Sequence, residues 1–333
     1  MVRFTVLASG SKGNSTVVSG GRTRILVDAG LSCRELFRRM KLAGEDPETL
    51  DAIVITHEHQ DHIGGLAIVA RRLGIPVYFT EATHRAWMRW LTPRRQMTYA
   101  QWMEQCRKQA VERQAETDIS AVEGEADEPE PAPSPVADAA APAASSAPLP
   151  PQAPAEHDPR QDDPAWLPAV EYFQAGQPFP VGDIGISPFT IPHDAADPVG
   201  FVFQAEGVRM AVVTDLGYVP PNVKAQLKGV DLLLLESNHD LEMLRDGPYP
   251  WSVKQRVLSR VGHLSNEAAA EFLSNNYDGQ AAYIILAHLS ESNNLPELAR
   301  VAAERALNGR ASLLANRLLI AGQHEPLAAI DLQ

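Results

Sequence analysis

Four apolar residues, Ala52-Ile53-Val54-Ile55, run directly into Thr56-His57-Glu58-His59-Gln60-Asp61-His62. The apolar run reads as a buried strand. The residues after it carry three imidazoles and a carboxylate in the spacing H-x-H-x-D-H. The chain has ten histidines, so three in this short stretch is a concentration that composition does not explain. Neutral imidazole and carboxylate are the ligands that suit zinc, manganese and iron. In an extended segment leaving a strand, alternate residues share a side, so His57 and His59 point together. Asp61 and His62 follow a turn and can face a second ion. The rest of the chain must then supply the remaining ligands.

It does so at strand ends. After Ile191-Pro192 comes His193, after Ala211-Val212-Val213-Thr214 comes Asp215, and after Ile284-Ile285-Leu286-Ala287 comes His288. Binding groups carried on loops beyond the strand ends of a rigid sheet are the usual arrangement in α/β proteins. Any one of these residues alone reads as a structural polar group. Together with His57, His59, Asp61 and His62 they complete two coordination spheres.

The local patterns predict an α/β protein. Residues 3–8, 16–18 and 23–28 read as three strands of a meander with glycine turns. Helices are expected over Ser32–Ala43, over Ile63–Leu73 and from Glu81. Further strands are expected at Val77–Phe79, Val170–Phe173, Ile184–Ile191, Val199–Gln204, Val208–Thr214, Val230–Glu236 and Ala282–Ala287. Helices are expected at Val253–Arg260, Asn266–Asn275 and from Leu295 to about Leu307. A hairpin-like region follows to Leu332.

The net charge of −13 is concentrated in one place. Between Glu112 and Asp163 there are 13 acidic and 2 basic residues, while the remainder is close to neutral at 29 acidic and 27 basic. Twelve of the 26 prolines lie between Pro129 and Pro168. A stretch of Ala, Pro, Glu and Asp cannot bury enough surface to offset its ordering entropy. We read about 116–164 as a disordered acidic Ala/Pro-rich insert on a helical stem, Thr98 to about Gln114, interrupting a single domain that spans 1–333. The acidity therefore does not exclude a nucleic-acid substrate. Cys33 and Cys106 form no framework and are expected to be reduced. The N-terminus has no signal-peptide shape, and no apolar run approaches the ~20 residues needed to span a bilayer. A soluble cytoplasmic protein is expected, with no membrane contact; the sequence leaves its oligomeric state open.

H-x-H-x-D-H followed by a distant His, Asp and His resembles the metallo-β-lactamase superfamily. More narrowly, Ala8–Ser15 (ASGSKGNS), Pro192–Phe201 (PHDAADPVGF), Thr214–Gly217 (TDLG), Glu236–Asp240 (ESNHD) and Gly262–Asn266 (GHLSN) resemble the YycJ/WalJ-like metal-dependent hydrolases. The similarity covers nearly all of the chain outside about 95–168. It implies a four-layer αβ/βα sandwich with the metals in a cleft at one edge of the sheets. It implies two divalent ions (Zn, Mn or Fe), with His57, His59 and His193 as ligands of the first, Asp61, His62 and His288 of the second, and Asp215 bridging. It also implies an activity like that of the RNase Z-type phosphodiesterases: a nuclease, in its narrowest form a 5′→3′ DNA exonuclease. Two ions about 3.5–4 Å apart can share a hydroxide and clamp the oxygens of an in-line displacement. Asp61 is then a candidate to accept or orient the hydroxide proton.

Other residues are weaker candidates. The Ser9–Ser15 loop, with Ser9, Ser11, Asn14 and Ser15 beside Lys12, can cradle a phosphate; a tight turn that needs its glycines is the alternative. His263, ahead of a helix that Ser265 or Asn266 can cap, is a candidate proton donor to the leaving 3′-oxygen. His239 is a weaker substrate-site candidate. Arg85, Trp87, Arg89, Trp90, Arg94 and Arg95 mix cations with aromatics but fit a plain amphipathic helix. The nucleic-acid reading, with DNA as the substrate, has two rivals. One is a thioester, lactone or β-lactam hydrolase on the same scaffold, whose glyoxalase-like members have a second Gly-His-Thr element where this chain has His193-Asp-Ala-Ala-Asp-Pro. The other is a metal-poor scaffold that binds a partner through the acidic insert.

Overall fold

A computed structural model of the chain describes residues 1–91, 163–307 and 317–333, together with Met103 and Arg107. The chain divides into two units, Met1–Leu91 with Arg160–Gln333, and Thr92–Pro159. The insert over 116–164, all but its last two residues, and the helical stem over 98–114, apart from Met103 and Arg107, lie outside the described residues.

In the first unit the strands are β1 (Val2–Ala8), β2 (Ser15–Gly20), β3 (Thr23–Val27), β4 (Ala52–Val54), β5 (Pro76–Phe79), β6 (Ala169–Tyr172) and β7 (Phe179–Val181). They are followed by β8 (Ile184–Thr190), β9 (Val199–Ala205), β10 (Val208–Val213), β11 (Leu232–Glu236), β12 (Tyr283–Ala287), β13 (Arg317–Ile320) and β14 (Ile330–Leu332). One sheet has the order β14-β1-β2-β3-β4-β5-β6, the other β13-β12-β11-β10-β9-β8-β7. The expected opening meander is present: β1, β2 and β3 are antiparallel neighbours. Each sheet then turns parallel, through β3-β4-β5-β6 in the first and β10-β11-β12-β13 in the second.

The central strands are apolar throughout because both of their faces are buried. Phe4, Val6, Ile25, Val27 and Val54 share a central core with Leu232, Leu234 and Ile285 of the other sheet. The alternate residues face outward. Leu7, Leu26 and Ile53 pack with Leu36, Leu66, Val69 and Trp87 of the helices Cys33–Leu42, Leu66–Leu73 and Glu81–Leu91. Leu233, Leu235 and Ile284 pack with Val223, Phe272, Leu273 and Ala303 of the helices Pro221–Gln226, Asn266–Asn275 and Pro296–Leu307. Helix, sheet, sheet and helix therefore stack as the expected αβ/βα sandwich. Each fully buried Leu or Ile contributes roughly 1.5–3 kcal/mol by leaving water.

Two expectations are corrected. The helix expected over Ile63–Leu73 is two helices, Gln60–Ile63 and Leu66–Leu73. The break is at Gly64-Gly65, where the backbone comes so close to the Ala29–Leu31 turn that a Cβ on Gly65 would lie 1.9 Å from the Leu31 carbonyl oxygen. The terminal region is not a hairpin: β13 pairs with β12 and β14 with β1, so the chain crosses from one sheet to the other between them. Alternation marks a strand but not its partner. The part of the mixed cluster on Glu81–Leu91 is an amphipathic helix, with Trp87 in the core and Trp90 exposed, while Arg94 and Arg95 lie outside the described residues.

Parallel pairing aligns strand ends. Val213, Leu235 and Leu286 are register neighbours across β10, β11 and β12, as Val27 and Val54 are across β3 and β4. The residues that follow these ends meet at one edge of the sandwich.

Candidate metal centre

Among the described residues, four groups of side chains place ligand atoms close enough to hold an ion: His57/His59/His193, Asp61/His62/His288, His57/His62/Asp215 and Asp215/Glu236/His263/His288. All seven residues expected as ligands fall in these groups. Asp215 is central. Its Oδ2 lies 3.3 Å from His62 Nε2, and its Oδ1 lies 3.4 Å from His288 Nδ1 and 4.0 Å from His193 Nε2. His193 Nε2 is 3.2 Å from His59 Nδ1, and Asp61 Oδ2 is 3.3 Å from His288 Nε2.

The backbone is bent to make this arrangement. Of the four described non-glycine residues with left-handed φ, three are Asp28 (φ 60°), Asp215 (φ 63°) and His288 (φ 57°), each just past a parallel strand. Such conformations cost of order 1–3 kcal/mol each and persist where the surroundings fix them. Gly30 permits a second close approach. A Cβ there would lie 1.7 Å from the Asp61 carbonyl oxygen, which accepts from Asn14 N at 2.7 Å.

The donor set fits divalent cations. His57 Nε2 and Asp215 Oδ2 are buried without a hydrogen-bond partner. The ion pairs of Asp28, Asp61, Asp215 and Glu236 are all with imidazoles, none with lysine or arginine among the described residues. Buried carboxylates so placed need a positive partner. Outer groups also set the tautomers, as is usual around metal-binding histidines. His62 Nδ1 donates to Asp28 Oδ2 (2.8 Å), and His193 Nδ1 to the carbonyls of Val261 (3.1 Å) and Gly262 (3.2 Å). Each is thereby oriented with Nε2 on the site, that of His62 toward Asp61 and Asp215 and that of His193 toward His59. Thr56 donates its N–H and hydroxyl to Asp28, which ties β3 to the ligand loop.

Burial pushes the pKa values of His57, His59 and His193 down, which keeps these imidazoles neutral. Burial acts the same way on His62 and His288. There the neighbouring carboxylates outweigh it and raise both pKa values.

Sequence reasoning named Asp28 only as a strand end, and Glu236 as a strand end and the first residue of the ESNHD motif, without a role for either; both belong to the site. Glu236 Oε1 lies 2.8 Å from His263 Nδ1 and 2.9 Å from His288 Nδ1, and its Oε2 accepts from Leu216 N and Leu264 N. Burial opposes its ionisation, but His263 and His288 outweigh that and hold its pKa at about 2. His263 is thereby fixed beside the seven residues expected as ligands, its Nδ1 3.7 Å from Asp215 Oδ1 and its side chain 22 % exposed.

The serine-glycine loop divides. Asn14 Nδ2 reaches Asp61 Oδ2 (3.1 Å) and His62 Nε2 (3.0 Å). Ser9 Oγ accepts from His288 N at 2.7 Å, and Ser15 Oγ donates to the Asn14 carbonyl at 2.6 Å. Both serines are buried, and Ser11 is exposed. His239 is also buried, with its pKa lowered to about 4 by desolvation, and it lies outside the four ligand groups.

Residues 8–251 match the metallo-beta-lactamase superfamily. The chain belongs to that superfamily. Its fold is the one the family resemblance implied. It is 32% identical over 306 residues to exodeoxyribonuclease YycJ of Bacillus anthracis, covering 92% of this chain and 89% of the relative. It is 32% identical over 299 residues to exodeoxyribonuclease WalJ of Streptococcus pneumoniae, covering 90% and 86%. The fold is also that of the short form of human tRNase Z (TM-score 0.52, 14% identity, 98% of each chain covered). As a superfamily member with such relatives, the chain is a metal-dependent hydrolase. No helix among the described residues is long and apolar enough to cross a membrane.

Proposed function

We propose that the chain is a binuclear metal-dependent exodeoxyribonuclease. The observation that carries this reading is the Glu236–His263 pair set against a seven-residue ligand cluster. A hydrolase of neutral acyl substrates needs the ligands, but it has less need of a second, fixed imidazole beside them. His57, His59 and His193 are assigned to one ion, Asp61, His62 and His288 to the other, and Asp215 to both. Zinc, manganese and iron all suit these donors. When bound, the ions would supply water activated at neutral pH and would neutralise charge on the phosphoryl group.

The chain's own residues do the rest. His263 holds Nδ1 toward Glu236 at 2.8 Å, which leaves Nε2 to carry a proton for the leaving 3′-oxygen. The carboxylate favours the protonated form that this role needs, and burial opposes it; the net shift of the His263 pKa is upward. Asp61 is the candidate proton acceptor, braced by Asn14 at 3.1 Å and only partly exposed, at 21 %. Ser9 positions the His288 backbone, and exposed Ser11 is left as the serine of that loop able to meet a phosphate directly.

The test is a panel of single- and double-stranded DNA and RNA, labelled at either end, incubated with the purified chain and Mn²⁺ or Zn²⁺. We expect DNA to be degraded, with a 5′ label released first and EDTA stopping the reaction. Intact DNA beside rapid hydrolysis of a thioester or lactone would assign the chain to the acyl-hydrolase alternative.

A further inference from the structure

The segment Arg256–His263 forms one wall of the metal centre. His193 Nδ1 donates to the carbonyls of Val261 and Gly262, and Asp194 N donates to Val261 O at 3.1 Å. Gly217, two residues after Asp215, lies against the same segment. A Cβ on Gly217 would meet the carbonyl carbon of Arg260 at 2.4 Å and the Ser259 oxygen at 2.5 Å. The backbone of Arg260 is therefore held against Gly217, two residues past Asp215, and directly precedes the Val261 carbonyl that His193 contacts. Its side chain is exposed, and the guanidinium lies over the ring of half-buried Tyr218, 4.5 Å from the centroid.

Charge separates Arg260 from the other cations at this rim. Lys12 is paired with Glu291, and Arg256 with Asp194. Arg260 has no carboxylate partner among the described residues. Outside residues 112–163 the chain is close to neutral, with 29 acidic and 27 basic residues, so it offers a polyanion no strong long-range attraction. Local cations beside the reacting centre must then do the holding. A guanidinium suits this task, since its planar fork matches phosphate oxygens. One already restrained by an aromatic face loses less freedom on binding.

We propose that Arg260, braced by Tyr218, binds a backbone phosphate of the DNA strand next to the phosphodiester being cleaved. This rests on the nuclease reading above and adds to it the side along which the strand runs. Tyr218 is a positioning residue that acts through Arg260.

The test is the affinity of the metal-loaded protein for a fluorescent single-stranded phosphorothioate oligonucleotide, which resists cleavage, measured by anisotropy across a range of salt. Losing one phosphate contact lowers the slope of log K against log salt by about 0.7, which is roughly fivefold in affinity near 0.1 M salt. Arg260→Ala is expected to show both changes. Tyr218→Leu should weaken binding about two- to threefold, and Tyr218→Phe, which keeps the ring, should restore it. Arg38→Ala, on the exposed face of Cys33–Leu42 and paired with Glu35, serves as the control for generic loss of positive charge and should bind as wild type does. Wild-type affinity and slope in Arg260→Ala would overturn the inference. A wild-type protein that binds no oligonucleotide would instead overturn the DNA reading on which it rests.

Discussion

Asp215→Asn is expected to lower DNA hydrolysis by at least about 10³-fold, the effect of losing several kcal/mol of charge stabilisation at the reacting centre. The same substitution should reduce the metal retained after gentle purification. Asp215 stands between the two ligand groups, within 4.0 Å of imidazole nitrogens from His62, His193, His263 and His288. Its Oδ2 is buried and has no hydrogen-bond partner. Asparagine keeps the size and, after glycine, is among the residues that best tolerate the left-handed backbone at this position. The fold should therefore survive while the charge is lost. Circular dichroism, metal analysis and kcat on one preparation separate the two effects. A variant that keeps both its metal and its rate would remove Asp215 from the centre.

Glu236→Gln is the second large effect. Oε1 serves two imidazole N–H groups and Oε2 serves two backbone N–H groups, so every neighbour is a donor. An amide must turn its NH₂ toward one of these pairs. A buried polar clash of that kind costs about 1–3 kcal/mol. Around metal sites, loss of such an orienting carboxylate typically costs 10–100-fold in metal affinity or activity. His263→Ala should lower kcat by about 10²–10⁴-fold, the usual contribution of a positioned proton donor. If Glu236 acts through His263, the double variant should be little worse than His263→Ala alone. Additive losses would show that Glu236 acts mainly through His288.

The sign of the pH dependence follows from the depressed pKa of Glu236. Its pairing with His263 and His288 stabilises the fold fully above the ordinary carboxylate range. That stabilisation fades as pH falls toward about 2.

Much of the centre was legible because its residues obey one rule: an apolar strand, then a polar residue at its end. His193, Asp215 and His288 followed from that rule before any geometry was known. Glu236 obeys it too, closing the run Leu232-Leu233-Leu234-Leu235 and lying in register with Ala287, the residue before His288. The signal was present, but a glutamate at a strand end is common. Only the pairing of β11 with β12 shows that it stands beside His288. Asp28 was hidden for the same reason, since its role depends on β3 lying parallel to β4. Sheet partners are set by long-range packing, which local periodicity does not encode. The same limit produced the mistaken terminal hairpin. It also hid the shared plan of the two sheets, whose antiparallel and parallel runs follow the same order without an obvious repeat in sequence.

The central claim is that two ions, held by seven side chains, act together on a phosphodiester. Titrating metal-free protein with Mn²⁺ or Zn²⁺ while following DNA hydrolysis tests it most directly. The rate should rise until two equivalents per chain are bound and then level off. A plateau at one equivalent, or hydrolysis by the metal-free protein, would contradict the account.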